Sequence, residues 1–173
     1  MISLSIKDVK LFMSHLLIKD TFDSFLLSEA DISTANNFII NGNINKDFFS
    51  SEEYEELDNK NYSLWSQLKP FCFSLIKGSK VPSSMKIIFL LSDSQCSNIL
   101  SSIDSSMDSP ISVVDINGLF MNIRYQDGQL TIITGSSLKV FTLDKSIDNA
   151  FDKYVCRFLS SFMIERPVCT ISK

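Results

Sequence analysis

The stretch LFMNIRYQDGQLTIIT, residues 119–134, constrains the fold of this chain more than any other segment. Asp127-Gly128 is a residue pair that two-residue hairpin turns prefer, because both central positions of a type I′ turn need a positive φ. Apolar and polar residues alternate on both sides of the pair, as in antiparallel strands. If Gln126 opposes Gln129, one face carries Met121, Ile123, Tyr125, Leu130 and Ile132, and the other carries Phe120, Asn122, Arg124, Thr131 and Ile133.

The remaining patterns predict further strands and helices around this hairpin. A second hairpin is predicted over residues 25–34 and 38–45, with single strands at 1–6 and 85–91. Apolar residues at helical spacing predict helices over residues 9–17, 50–57, 64–76, 92–103 and 145–163. We therefore predict an α+β fold with a mostly antiparallel sheet, built from two hairpins plus single strands, and with helices packed on one face.

The length of 173 residues fits one domain, which we assign to residues 1–164, followed by a C-terminal tail at 165–173. Two residues predict interruptions inside this domain. Pro70 lies within a helical pattern, lacks an N–H donor and clashes with the preceding turn, so we expect a kink or a restart there. Gly135 lies between the hairpin and a second extended run, residues 138–142, and predicts a bulge or bend.

The segment TGSSLK, residues 134–139, carries two motif-like patterns. Ser136 and Lys139 have the S-x-x-K spacing of a lysine-activated serine, which needs a helical turn to bring the two side chains together. The segment follows a strand and is predicted to be extended, which sends the two side chains to opposite faces. The phosphate-binding P-loop pattern is also incomplete, since no G-x-x-x-x-G-K-[ST] is present.

A candidate ligand-binding surface follows if this extended run lies beside the hairpin. Its members would share one sheet face: Phe120, Asn122, Arg124, Ser137, Lys139 and Phe141. Aromatic and cationic groups on a sheet face suit stacking and phosphate contact, as in proteins that bind single-stranded nucleic acid. The alternative is a solvated outer face with two half-covered rings.

An alternative acidic site consists of Glu29 and Asp31, which lie two positions apart on a predicted strand. Both carboxylates would leave the same face, roughly 7 Å apart, a spacing that acid–base chemistry or a metal ion can use. The pattern supplies neither a histidine nor a third acidic ligand nearby. A polar outer face is the other interpretation, and we predict no metal and no cofactor.

Charge and cysteine content narrow the function classes. The net charge of −4 disfavours a nucleic-acid partner, because phosphate neutralisation normally needs a basic face. Residues 1–17 contain scattered charges and resemble neither a signal peptide nor a membrane span, so we predict a cytoplasmic protein without a membrane partner. The four cysteines form no C-x-x-C pair and are predicted to be buried thiols. His15, the only histidine, is predicted to be a partly exposed spectator.

Several long strings support a resemblance: SIKDVKLFMSHLL, TFDSFLLSEADI, YSLWSQLKPFCFSLIKG, MKIIFLLS and NGLFMNIRYQDGQLTIITGSSLKVFTLDKS. Over residues 1 to about 162 the chain resembles an uncharacterised family of clostridial-type Firmicutes, classed as a domain of unknown function. The resemblance implies a cytosolic bacterial origin and a single domain. It implies no activity, ligand or catalytic residue.

The functional prediction is a non-catalytic ligand-binding or protein-interaction module, with a protein or a small ligand as its partner. One alternative is a small hydrolase or transferase that uses the Glu29 and Asp31 carboxylates or a pair formed by Ser137 and Lys139. A second alternative is a weak single-stranded nucleic-acid binder that uses the aromatic and basic sheet face. Whether the protein is an enzyme stays open at this level.

Overall fold

The computed structural model describes residues 1–57, 61–78, 80–103, 112–139, 142–164 and 168–170. These residues form seven strands, β1 (Ser3–Ile6), β2 (Leu26–Ser33), β3 (Asn37–Asn41), β4 (Ser84–Leu90), β5 (Ile116–Gln126), β6 (Gln129–Leu138) and β7 (Val168–Thr170). They also form five α-helices, α1 (Val9–Leu17), α2 (Ser51–Glu56), α3 (Trp65–Ile76), α4 (Asp93–Leu100) and α5 (Ser146–Ser160).

All seven strands belong to one antiparallel sheet in the order β3-β2-β4-β5-β6-β1-β7. Helix α3 packs on β2, α5 packs on β6, α1 contacts α3, and α4 contacts α5. The predicted α+β fold, with two hairpins, single strands and helices on one face, is confirmed. Val168–Thr170, in the segment that the sequence assigns to a tail, adds an edge strand beside β1.

The turn between β5 and β6 has the predicted geometry. Asp127 has a φ of 51° and Gly128 a φ of 77°, and Gln126 pairs with Gln129. The register buries Met121, Ile123, Leu130 and Ile132 on the helix-covered face. The opposite face, which we call the outer face, includes the following partly or fully exposed side chains of the central strands: Glu29, Asp31, Lys86, Ile88, Phe120, Asn122, Arg124, Thr131 and Ile133.

The predicted bulge at Gly135 is wrong. Strand β6 runs without a break through Gly135, which pairs with Phe120, and the register shift lies on the opposite strand between Ile116 and Gly118. The extra residue of the bulge is therefore supplied by β5. The extended run predicted after Gly135 therefore begins as a continuation of β6, which ends at Leu138.

At Pro70 the sequence predicted a kink or a restart, and the restart is wrong, because α3 is one helix that contains Pro70 at its sixth position. Tertiary contacts fix where this helix begins. The backbone N–H of Trp65 donates to the carbonyl of Phe25, and the Trp65 indole N–H donates to the carbonyl of Leu16, each at 2.8 Å. These contacts fix the first turn of the helix before Pro70, and the helix tolerates the loss of the one N–H donor that proline lacks.

Local capping residues delimit other helices. The Ser50 hydroxyl accepts from the N–H of Glu53, whose carboxylate accepts from the N–H of Ser50, and Ser92 with Gln95 repeats this capping box at α4. Asp8 caps α1 through the N–H of Leu11. These three helix starts follow directly from side chains that satisfy otherwise unpaired backbone donors.

The hydrophobic core lies between the sheet and the helices and contains an aromatic cluster. Phe22 contacts Phe25, Phe89 and Phe158, with ring centroids 5.1–5.8 Å apart, and Trp65 stands edge-on to Phe89 at 5.1 Å. Such offset and edge-to-face contacts stabilise ring pairs beyond the area that they bury. This cluster holds the helices against the middle of the sheet and leaves the outer face to solvent.

Candidate functional site

Four of the six residues of the predicted ligand-binding surface lie on the outer face. Phe120, Asn122 and Arg124 alternate along β5, and Ser137 on β6 pairs with Gly118, two residues before Phe120. Asn122 donates from Nδ2 to the carbonyl of Ile133 at 3.3 Å. The side chains of these residues are partly or fully exposed. The structure therefore brings this part of the predicted surface together.

The ring of Phe120 lies over a glycine. A Cβ atom built on Gly118 would be 2.8 Å from the Phe120 Cζ and 3.2 Å from the Leu90 Cδ2. The ring is thus folded along the sheet over Gly118, and Gly118 leaves the space that it occupies. Phe120 is therefore part of an apolar surface. Gly118 covers one face of the Phe120 ring, so that face is not open to a stacking base.

Lys139 lies beyond the end of β6, and its backbone N–H donates to the carbonyl of Asp115 at 2.8 Å. It lines a pocket of about 370 Å³ together with Ser136, Asp148 and neighbouring residues at the start of α5. That pocket lies on the helix-covered side, whereas Ser137 lies on the outer face. Phe141, the sixth predicted residue, lies outside the described residues.

Ser136 does not contact Lys139 as a lysine-activated serine would. Residues 136–138 are extended within β6, and the Ser136 hydroxyl donates to Oδ1 of Asp148 on α5. Lys145 pairs with the other oxygen of that carboxylate at 3.5 Å. A hydroxyl that donates to a carboxylate is held in a fixed orientation, and this contact ties the end of β6 to the first turn of α5.

The alternative acidic site is placed on the outer face by β2. Glu29 forms an ion pair with Lys86 on the neighbouring strand, with an N–O distance of 3.0 Å, and Asp31 lies directly opposite Lys86 in the register. Lys86 therefore compensates one of the two negative charges, that of Glu29. Among the described residues, no group of three or more His, Cys, Asp or Glu side chains is arranged to hold a metal ion.

Two of the cysteines are buried in the core. Burial raises the pKa of the Cys72 thiol to about 11, and burial together with the Asp93 carboxylate raises that of Cys96 to about 11. At pH 8, only about one in a thousand of either thiol would then be the reactive thiolate. The two residues are core side chains with suppressed nucleophilicity.

We expect Cys72 and Cys96 to resist modification by a thiol reagent in the native protein at pH 8. Their modification is expected to become rapid only after unfolding in urea, since unfolding restores both solvent access and the ordinary pKa. Mass spectrometry of peptides after timed labelling measures each site, with the partly exposed Cys156 as an internal comparison. Equal native and denatured rates at Cys72 or Cys96 would contradict this assignment.

His15 is more buried than the sequence predicts, with 8% of its surface exposed. Its Nδ1 is 2.7 Å from the Thr21 hydroxyl, its Nε2 is 2.9 Å from the Lys19 ammonium, and its ring stacks on Phe162 at 4.4 Å. Burial lowers the pKa of His15 and the Lys19 charge lowers it further, against a smaller opposing effect of Asp20. Nε2 therefore accepts a hydrogen bond from the Lys19 ammonium, and the lowered pKa favours the neutral imidazole.

We expect the free energy of unfolding to decrease as the pH falls below about 6.5, the ordinary histidine pKa. The unfolded state binds the proton first, because the pKa of His15 is lowered in the folded state. The contribution of His15 to stability is complete above its pKa in the unfolded state. It is lost as the pH falls towards the lower pKa of His15 in the folded state. Urea unfolding between pH 7.5 and 5 measures it, and a His15→Gln variant with an unchanged pH slope would rule it out.

A groove of about 570 Å³ lies between α4 and α5, and it was not predicted from the sequence. Lys145, Asn149, Lys153 and Arg157 recur at every fourth position and line one side. This spacing was visible in the sequence, but a row of cations on the polar face of a helix normally indicates only a solvated surface. The packing of α4 beside α5 is what forms the second wall.

A family model described as "Family of unknown function (DUF5721)" matches residues 15–166. The chain belongs to this family. No curated protein and no solved structure matches the chain. The matched range of this DUF5721 protein includes the outer-face residues of β2, β4, β5 and β6 and all residues of the groove between α4 and α5, whereas β1 precedes it.

The helices of this DUF5721 protein differ in length and polarity. The longest described helix, α5, has 15 residues and presents a polar face that carries the cations of the groove. None of the described helices has both the length and the apolar composition that crossing a bilayer demands.

Proposed function

We propose that this DUF5721 protein is a non-catalytic interaction module that binds another protein through the outer face of its sheet. The observation that supports the proposal is an outer-face patch, which we define as Ile88, Phe120, Asn122, Arg124 and Ile133. Ile88 and Ile133 are the two cross-strand neighbours of Asn122, and Phe120 lies two positions along β5. The three apolar members are partly exposed and do not belong to the hydrophobic core.

The composition of this patch favours a protein partner. Protein interfaces commonly combine an apolar centre with a polar rim that supplies hydrogen bonds and charges. Here the apolar centre adjoins Arg124, which is exposed and, within the described part of the chain, has no ion-pair partner. We infer that the partner presents apolar side chains next to a carboxylate, because that arrangement complements both features.

The alternatives have weaker support. A nucleic-acid strand would need several available cations, yet Lys86 on the same face is compensated by Glu29 and adjoins Asp31. The candidate groups for a hydrolase or transferase are separated or already paired: Ser137 lies on the outer face, Lys139 lines the pocket on the helix-covered side, and Glu29 pairs with Lys86. The raised pKa of the Cys72 and Cys96 thiols also disfavours cysteine chemistry.

We further infer that the module functions in a bacterial cytoplasm and as one domain over residues 1–164. Buried free thiols are compatible with a reducing compartment. One continuous hydrophobic core includes residues from Ile2 to Met163, which supports a single folding unit. Cell fractionation with an antibody against the protein tests the first inference, and a single cooperative unfolding transition tests the second.

Site-specific crosslinking tests the proposed partner surface. We replace Ile133 with the photo-crosslinking residue p-benzoylphenylalanine in the full chain and irradiate it in cells that naturally make the protein. We expect a crosslinked species of one defined mass, because residue 133 lies inside the outer-face patch. Adding Arg124→Glu to the same chain is expected to remove that species, since the substitution repels the carboxylate of the partner.

The matched control carries the same photo-crosslinking residue at Lys10, an exposed position of α1 outside the patch. The Lys10 variant is expected to give no crosslink of that mass. Equal crosslinks at both positions, insensitivity to Arg124→Glu, or no crosslink at residue 133 would each contradict a protein-binding role for this face.

A further inference from the structure

The groove between α4 and α5 concentrates positive charge on an acidic protein. It is lined by Lys145, the residue just before α5, and by Lys153 and Arg157 on α5, in a chain whose net charge is −4. Residues four apart on a helix lie on the same side, about 6 Å apart along the axis, so Lys153 and Arg157 form adjacent cationic groups one turn apart. The groove is therefore locally positive, whereas the whole molecule has a negative net charge.

The carboxylates near the groove neutralise little of this charge. Lys145 pairs with Asp148 at 3.5 Å, but Lys153 and Arg157 have no ion pair with any other described residue. Asp144 is the acidic residue in the lining, and its carboxylate accepts from the Ser146 N–H at 2.8 Å and the Ser146 hydroxyl at 2.6 Å. As far as the described residues show, Lys153 and Arg157 are therefore available to an incoming anion.

The rest of the lining is apolar or uncharged. Ile99, Ala150 and Tyr154 contribute an apolar floor, and hydrogen-bonding groups are added by Asn98 on α4 and by Ser102 just after it. The ring of Tyr154 lies nearly parallel to that of Phe158, at an interplanar angle of 8° and with ring centroids 6.5 Å apart. Tyr154 is partly exposed and adds an aromatic surface to the lining.

We propose that this groove binds a small phosphorylated ligand that also carries a planar apolar group, as nucleotides do. Arginine and lysine side chains bind phosphate oxygens through charge-assisted hydrogen bonds, and the apolar floor offers a contact for a ring. The volume of about 570 Å³ lies in the range of small-molecule sites. The groove is on the helix side of the sheet, so this proposal is independent of the partner surface on the outer face.

Isothermal titration calorimetry on the full chain, at low salt and with a chelator present, tests the ligand class with three probes. ATP carries phosphates and a planar base, tripolyphosphate carries only the phosphates, and adenosine carries only the base and sugar. We expect ATP to bind, tripolyphosphate to bind more weakly, and adenosine to give no detectable heat. Raising the salt concentration is expected to weaken ATP binding, because the cations of the groove are exposed.

Neutral substitutions locate the binding site. Lys153→Gln and Arg157→Gln are each expected to weaken ATP binding about tenfold, since each removes a hydrogen bond to a charged group. Lys10→Gln on α1 removes one exposed cation outside the groove and is expected to leave ATP binding unchanged.

A charge series at position 149 separates binding from folding. Asn149 is exposed and lies between Lys145 and Lys153 in the row. Asn149→Glu places a carboxylate four residues before Lys153, which supports the helix, yet it should weaken ATP binding. Asn149→Lys should strengthen binding, because it adds a cation to the groove. Circular dichroism and urea unfolding confirm that each variant is folded.

Several results would overturn the proposal. Absence of binding by both ATP and tripolyphosphate at millimolar concentration would exclude a phosphate site. Binding that is insensitive to Lys153→Gln, to Arg157→Gln and to the series at position 149 would place the ligand elsewhere. Equal affinities for ATP and tripolyphosphate would show that the groove does not recognise a planar apolar group. Adenosine binding as tight as that of ATP would show that the groove does not recognise phosphates.

Discussion

Replacing Trp65 with alanine is expected to lower the free energy of unfolding by about 3–5 kcal/mol. The Trp65 side chain is fully buried and stands edge-on to Phe89 with ring centroids 5.1 Å apart, so its removal leaves a cavity in the aromatic cluster. Its indole N–H also donates to the carbonyl of Leu16, which lies in the last turn of α1 and lacks a partner within that helix. Urea unfolding curves give the change directly.

Two further variants separate the causes of this loss. Trp65→Phe keeps an aromatic ring but removes the N–H, and it is expected to cost about 1–3 kcal/mol because the Leu16 carbonyl loses its donor. Phe71→Ala removes another large aromatic side chain from the same helix, but Phe71 is 63% exposed and its loss should change stability little. A Phe71→Ala effect as large as that of Trp65→Ala would contradict the described packing of α3.

Replacing Gly42 with alanine is expected to cost about 3 kcal/mol, near the upper end of the range for overpacking, and to lower the melting temperature by roughly 6–12 °C. A Cβ at this position would be 1.8 Å from the carbonyl oxygen of Leu27. The neighbouring backbone is held by hydrogen bonds, since Gly42 donates to Ser28, and Ser63 donates to Gly42 and accepts from Leu27. The chain must break some of these bonds to admit a methyl group.

Gly135→Ala provides the matched control for this prediction. Gly135 lies within β6, whereas Gly42 directly follows β3, and a Cβ on Gly135 would meet no atom within 4 Å. We expect its stability to be unchanged or to rise by up to about 1 kcal/mol, because alanine lowers the entropy of the unfolded chain. Thermal unfolding of both variants under one condition makes the comparison. Similar melting temperatures for the two would show that the close approach of Leu27 and Gly42 is not as described.

Local signals predicted the elements that local chemistry determines. The Asp127-Gly128 turn fixed the register of β5 and β6, because its backbone conformation permits only one pairing of the flanking residues. The capping boxes at Ser50 and Ser92 placed two helix starts for the same reason. The predictions at Pro70 and Gly135 used only neighbouring residues, whereas residues distant in the sequence determine the structure at both places. Contacts of Trp65 with Phe25 and Leu16 fix the start of α3. Pairing of Gly135 with Phe120 keeps β6 continuous.

The candidate sites show the same division. Phe120, Asn122 and Arg124 share a face because residues two apart on a strand always do, so the alternation in the sequence was sufficient. Lys139 does not share that face because β6 ends at Leu138. No residue type near this position indicates that the strand ends there. The groove depends on α4 lying beside α5, and two helices separated by two strands in the sequence carry no local signal of their contact.

The position of β1 in the sheet has a consequence for the synthesis of the chain. Strand β1 pairs with β6, and the hydrogen bond from the Ile2 N–H to the Thr134 hydroxyl joins residues 132 positions apart. A nascent polypeptide must therefore carry β1 without its partner until most of the chain has left the ribosome. Closing so long a loop is slow, and meanwhile an unpaired strand edge invites association with other chains. The protein is thus expected to depend on chaperones more than its size suggests.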